Sequence, residues 1–171
     1  MDASEVLAVL RALEGGGIRA GISGGWGIDA LLGHQSRAHR DLDLAVAAER
    51  LAAAVEVLTR RGYAVTADQR PARVELSADD RIVDLHPVRW GPDGSGIQDG
   101  FDGAIFRYPP GSMDAPGTIN ATAVRCATPE LQVAFHSGYE PTERDRVDVA
   151  AVVEAFGMAA PPGFRSEDQP G

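Results

Sequence analysis

Asp84 stands in the middle of the run Arg81-Ile82-Val83-Asp84-Leu85-His86, a carboxylate inside an otherwise apolar, strand-like segment. Burying an unpaired carboxylate is costly, so this strand must lie where something can face Asp84. That need constrains the fold more than any other feature of the chain. A second run, Asp41-Leu42-Asp43-Leu44-Ala45-Val46, can meet it. Its period of two puts Asp41 and Asp43 on one face of a strand and Leu42 and Leu44 on the other. If the two strands are neighbours, three carboxylates share a face. Acids side by side repel unless a positive group sits among them, and a hard divalent cation with oxygen ligands fits that description, Mg²⁺ in particular. Arg73 and Glu75 share a face of the preceding strand and come within reach of the same place.

Ser23-Gly24-Gly25 follows a short apolar run, residues 18–22, and opens a helical segment, 26–32, that Gly33 stops. Glycines at such a junction let backbone N–H groups approach a phosphate, and the helix N-terminus favours negative charge. A glycine pair at a helix start, a D-x-D sixteen residues further on and a third carboxylate on a later strand fit a site for metal and a nucleoside triphosphate.

The remaining pattern predicts helices over 4–14, with Ser4 as N-cap, over 49–61, from Pro129 onward and over 142–156. Strands are predicted at 63–66, 73–77, 81–86, 104–108 and 118–126, with Asp79-Asp80 as a hairpin turn. Residues 91–103 hold five glycines and read as loop. Residues 159–171, rich in proline, glycine and charge, read as a disordered tail. The expectation is one mixed α and β domain over 1–158, without internal repeats.

Composition narrows the chemistry. The chain has 171 residues and a net charge of −9, which argues against a nucleic-acid backbone as the main partner. All 16 basic residues are arginine, which excludes P-loop, Schiff-base and kinase-type lysines. The single cysteine, Cys126, cannot form an internal disulfide and reads as buried at a strand end. The N-terminus has no basic segment of a signal peptide, and no apolar run approaches a membrane span, so the expected location is the cytoplasm.

The strings Ser23-Gly24-Gly25-Trp26-Gly27-Ile28-Asp29-Ala30-Leu31-Leu32-Gly33 and Arg37-Ala38-His39-Arg40-Asp41-Leu42-Asp43 resemble the opening motif of antibiotic nucleotidyltransferases. The likeness continues through Arg73-Val74-Glu75-Leu76, Val83-Asp84-Leu85-His86-Pro87, Val124-Arg125-Cys126, Gln132 and Phe135-His136-Ser137-Gly138-Tyr139-Glu140, over roughly residues 4–157. It is similar above all to the small lincosamide nucleotidyltransferases, and next to the aminoglycoside 2″-adenylyltransferases. The resemblance implies an α+β nucleotidyltransferase fold: a small mixed sheet flanked by helices, with a short helical C-terminal part. It implies Mg²⁺ on Asp41 and Asp43 beside Asp84, and ATP or another NTP over Ser23, Gly24 and Gly25, with Arg37 and His39 as candidates for the triphosphate. Asp84 or Glu75 would take the proton of an acceptor hydroxyl. The implied reaction moves AMP from ATP to a small molecule, a lincosamide or an aminoglycoside, and releases pyrophosphate. Two alternatives remain at this level. One is the same fold acting on a metabolite, a protein or an RNA end; the other is a non-catalytic nucleotide-binding domain. Little chain is left for an acceptor domain, so acceptor contacts fall to residues 91–117, the C-terminal helices or the second subunit of a homodimer.

Overall fold

A computed structural model describes residues 1–136 and 140–164. The first helix, α1 (Ala3–Gly15), is capped by Asp2, not Ser4: the Asp2 carboxylate accepts from the Glu5 amide at 2.9 Å. There follow β1 (Ala20–Ser23), α2 (Gly24–Leu32), β2 (Asp41–Ala47), a short 3₁₀ turn, α3 (Leu51–Arg60), β3 (Ala64–Gln69), β4 (Arg73–Ala78) and β5 (Arg81–Trp90). Then come β6 (Gly96–Asp99), β7 (Ile105–Tyr108), β8 (Ala115–Ile119), β9 (Thr122–Cys126), α4 (Pro129–Phe135) and α5 (Glu143–Phe156). Thr142 caps α5 in a reciprocal capping box with Asp145, satisfying two otherwise orphaned amides.

The strands form one mixed sheet in the order β3-β4-β5-β2-β1-β9-β8, and β6 with β7 extends from the far end of β5. β2 runs parallel to β5 with Leu42 beside Val83, Asp43 beside Asp84 and Leu44 beside Leu85. Because side chains alternate, this register sends Leu42, Leu44, Val83 and Leu85 to one face and the acids to the other. The apolar face carries the main core, where Val74, Leu76 and Ile22 join those residues against Val6, Val9 and Leu13 of α1 and Ala54 and Leu58 of α3. The opposite face is polar near Asp43 and Asp84. Further along it becomes apolar, where Ala45, Val88, Tyr108, Met113, Ala127 and Leu131 form a smaller cluster.

Two segments differ from the sequence expectation. Residues 91–103 are not wholly loop: β6 lies within them, pairing Ile97 with Arg89 of β5 and Gln98 with Phe106 of β7. The glycines that suggested loop serve the turns at either end, where Gly94 and Gly103 have φ of +82° and +80°. Residues 118–126 are not one strand but most of a hairpin, with Ile119 paired to Thr122 across Asn120 and Ala121. Both turn residues have positive φ, +44° and +59°, the conformation that two-residue hairpins require. Asn-Ala in place of Asn-Gly hides that turn from a sequence rule.

At the C-terminal end Met158 and Phe164 pack beside Ile28, Val133, Val149 and Val152. Of the expected tail, residues 165–171 lie outside the described residues, as do Ser137, Gly138 and Tyr139 of the Phe-His-Ser-Gly-Tyr block. Among the described residues no helix is long and apolar enough to cross a membrane. Cys126 is buried, and burial pushes its thiol up to about 11.

Candidate active site

Four neighbouring strands bring one side chain each to a single level of the polar face. Ser23 of β1 pairs with Asp43 of β2, Asp43 with Asp84 of β5, and Asp84 with Glu75 of β4. Ser23, Asp43 and Asp84 of this row form the floor of a cleft of about 370 Å³. Gly24 and Arg73 border the floor, and Phe101, Phe106, Tyr108 and Phe135 form the opposite wall. Aromatic rings fix that wall: Tyr108 meets Phe135 edge-on at 5.5 Å, and Phe106 meets it at 6.1 Å.

Asp84 is the most deeply set acid of the row, with a side chain 8% exposed against 25% for Glu75. Burial pushes its carboxyl above the ordinary value, although the Arg73 guanidinium pulls the other way. Oδ2 accepts from Arg73 Nη1 at 2.6 Å. Oδ1 is buried and has no hydrogen-bond partner. Arg73 also donates to Gln69 Oε1 at 2.8 Å, lies 3.8 Å from Glu75 and sits under the Phe101 ring at 6.0 Å. Glu75 in turn accepts from the Thr66 hydroxyl at 2.8 Å.

Asp43, Asp84 and His86 each bring a ligand atom to within 4.8 Å of the other two. The mainly oxygen donor set, with the carboxylates of Asp43 and Asp84 at one level, fits a hard divalent cation. Asp41 sits two residues before Asp43 on the same face of β2, beside Ile82, outside that group of three. Its charge also reaches Arg37, more weakly than that of Asp148 or Asp29.

The glycine turn is packed from below. Gly24 has φ +59°, and a Cβ there would stand 2.2 Å from Asp43 Oδ2. A Cβ on Gly25 would stand 2.3 Å from His39 Nδ1. Glycine is therefore demanded by the chain's own side chains as well as by any phosphate that approaches the amides of α2. Gln132 of α4 donates to the Gly24 carbonyl at 3.4 Å.

His39 and Arg37 lie beneath and beside this turn. His39 is buried against Trp26, with ring centroids 4.9 Å apart, and its Nε2 makes a short contact with the buried Asp29. Burial works against ionisation of Asp29, but the bonds from His39 and Ser36 outweigh it and hold the carboxyl below its ordinary value. Arg37 spends Nε and Nη2 on Asp148 of α5, at 3.1 and 2.6 Å, and Nη1 on the Ala38 carbonyl. Its guanidinium thus clamps the C-terminal helix to the glycine turn, and the hydrogen bond to Asp148 raises its pKa further.

The sequence did not single out Gln98, Tyr108, Phe101 or Phe106. Their signal was present: Phe101-Asp102-Gly103 separates Gly96-Ile97-Gln98-Asp99 from Ile105-Phe106-Arg107-Tyr108, and Asp-Gly between two such runs marks a hairpin.

A glycine turn at a helix start, acids of two adjacent parallel strands at one level and a mixed sheet backed by helices define the nucleotidyltransferase class. The solved structures agree. A lincomycin-bound lincosamide antibiotic adenylyltransferase matches with a TM-score of 0.76 at 29% identity, over 87% of this chain and 94% of that one. The enzyme ANT(2″)-Ia in complex with adenylyl-2″-tobramycin shares the fold, with a TM-score of 0.74 at 22% identity over 91% and 89% of the two chains. The profile of the aminoglycoside-2″-adenylyltransferase family matches residues 5–152. A lincosamide resistance protein of Staphylococcus haemolyticus is 30% identical over 146 residues, 85% of this chain and 90% of that protein. The chain belongs to the aminoglycoside-2″-adenylyltransferase family, among the antibiotic nucleotidyltransferases, and is an adenylyltransferase.

Proposed function

We propose that this enzyme moves AMP from ATP to a hydroxyl group of a lincosamide and releases pyrophosphate. The observation that carries the reading is the row Asp43–Asp84 standing between the glycine turn and an aromatic wall. The nucleotide lies with its phosphates over Ser23, Gly24 and Gly25, where the first amides of α2 point outward. Arg37 and His39 support the turn from below and carry that binding indirectly. Asp41 and Asp43, with Asp84 beside them, are the residues that would hold Mg²⁺. When bound, the ion would offset the triphosphate charge and stabilise the departing pyrophosphate.

The acceptor oxygen attacks the α-phosphorus in line, and the bond from that phosphorus to the pyrophosphate oxygen breaks. The hydroxyl proton passes to Asp84 Oδ1, the buried oxygen that no protein group occupies. Burial raises the affinity of Asp84 for a proton and so suits it to this task. Glu75 holds Arg73 from the other side. The wall decides the acceptor. The cleft lining supplies two carboxylates, Asp43 and Asp84, both engaged in the chemistry, and four aromatic rings. An aminoglycoside carries several ammonium groups that each need an acceptor; a lincosamide carries one basic nitrogen and an alkyl chain that suits a ring-lined surface.

The test incubates purified protein with α-labelled ATP, Mg²⁺ and either lincomycin or tobramycin. Labelled AMP on lincomycin, with stoichiometric pyrophosphate, is the expected outcome. Label on tobramycin instead would overturn the acceptor, and no transfer to either would overturn the antibiotic reading. Asp84→Asn should lose transfer, while Glu75→Gln keeps it within about tenfold; the reverse order would make Glu75 the base.

A further inference from the structure

His86 lies two residues past Asp84 on the same face of β5, and three hydrogen bonds fix which of its nitrogens bears the proton. The Ala72 carbonyl can only accept, and it takes Gln98 Nε2 at 3.3 Å. That orients the amide. Oε1 of Gln98 then accepts from the Tyr108 hydroxyl at 2.6 Å, in agreement with the same orientation. Nε2 of Gln98, which has no lone pair to offer, stands 3.1 Å from His86 Nδ1. Nδ1 must accept, so the proton sits on His86 Nε2, which points at Asp43 Oδ1 from 3.1 Å. A proton on Nδ1 would set two donors against each other in a buried place.

We propose that His86 is a positioning residue, not a metal ligand, and that Gln98 and Tyr108 set its tautomer so that Nε2–H holds the Asp43 carboxylate in place. The inference rests on the reading that Asp43 holds the cation. The held carboxylate leaves its other oxygen, Oδ2, against Gly24, where cation and triphosphate would meet. A ligand fixed by an outer partner loses less freedom on binding metal, and such partners typically change metal affinity by about 10–100-fold. The alternative is the opposite tautomer, with a bare Nε2 acting as the third ligand beside Asp43 and Asp84.

Long-range ¹H–¹⁵N correlation spectra of histidine-labelled protein distinguish the two, with His86→Asn assigning the resonance. The expected spectrum shows His86 protonated on Nε2 and bare on Nδ1, and it stays so when MgCl₂ is added. A bare Nε2, or an Nε2 that loses its proton on adding MgCl₂, would overturn the proposal. In Gln98→Leu, half-saturation by Mg²⁺ should rise about tenfold, while turnover at saturating Mg²⁺ falls by a smaller factor. Wild-type activity indifferent to Mg²⁺ would overturn the cation reading and this inference with it. Wild-type dependence on Mg²⁺ that is unchanged in Gln98→Leu would overturn this inference alone. The wild-type spectrum decides the matter even if Gln98→Leu folds poorly.

Discussion

The floor and the wall of the cleft are built on different terms. The floor stands on central strands whose other face is the main core, with Leu42, Leu44, Val83 and Leu85 all fully buried. A one-residue slip of β2 or β5 would bury its acid and expose its leucines, so the register that lines up Asp43 and Asp84 is enforced from behind. The wall hangs on a two-stranded ribbon beyond the end of the sheet. Phe101 and Phe106 remain 51% and 38% exposed, and the ribbon pairs with β5 only at Arg89 and Trp90. On the proposed function, position in the fold separates the groups that would perform the transfer from those that would choose what receives it.

That separation predicts a ranking of effects. Asp43→Asn should lower adenylyl transfer by on the order of a thousandfold while the thermal transition stays within a few degrees. A loss below tenfold would mean that the floor does not hold the chemistry. Gly24→Ala should follow, at about a hundredfold, because its Cβ would displace Asp43 from its place and strain a turn at positive φ. A crystal structure of that variant with Asp43 unmoved would refute this cause. Phe106→Ala touches only the wall and should raise the acceptor KM about tenfold, with the ATP KM unaltered; steady-state kinetics varying each substrate reads both. The smallest effect belongs to Cys126, which serves neither side. Its folded pKa lies near 11 against an ordinary value of 9, so its contribution to stability is whole below pH 9 and is lost as pH rises through 11. At pH 8 the native thiol should resist iodoacetamide, and the denatured protein should react within minutes; rapid native labelling would contradict its burial.

The same difference explains what could be read from the sequence. Asp41, Asp43 and Asp84 announce themselves because acids stand out against the apolar alternation that buries the other face of their strands. Their pairing followed from asking what could face Asp84, and β2 beside β5 answers it. Arg73 and Glu75 were visible as neighbours by the same alternation. Half of the ribbon is legible: the run 104–108 reads as a strand and forms β7, whereas β6 is hidden among the five glycines of residues 91–103. Gln98 has no meaning in the sequence at all. It matters only once Ala72, His86 and Tyr108, from three separate strands or turns, converge on one amide. A guanidinium matches phosphate geometry, which singles out Arg37 in the sequence, and nothing nearby in the chain discloses Asp148, 111 residues away, as a group that engages it.

One strand, β5, belongs to both regions: residues 82–88 ladder with β2, and Arg89 and Trp90 pair with β6. This junction has a consequence for descent. Substitutions or inserted residues around the Gly94 turn can reshape the ribbon without shifting Asp84 against Asp43. On the proposed function, lineages sharing this architecture would change the acceptor by small steps that leave the row of acids in register.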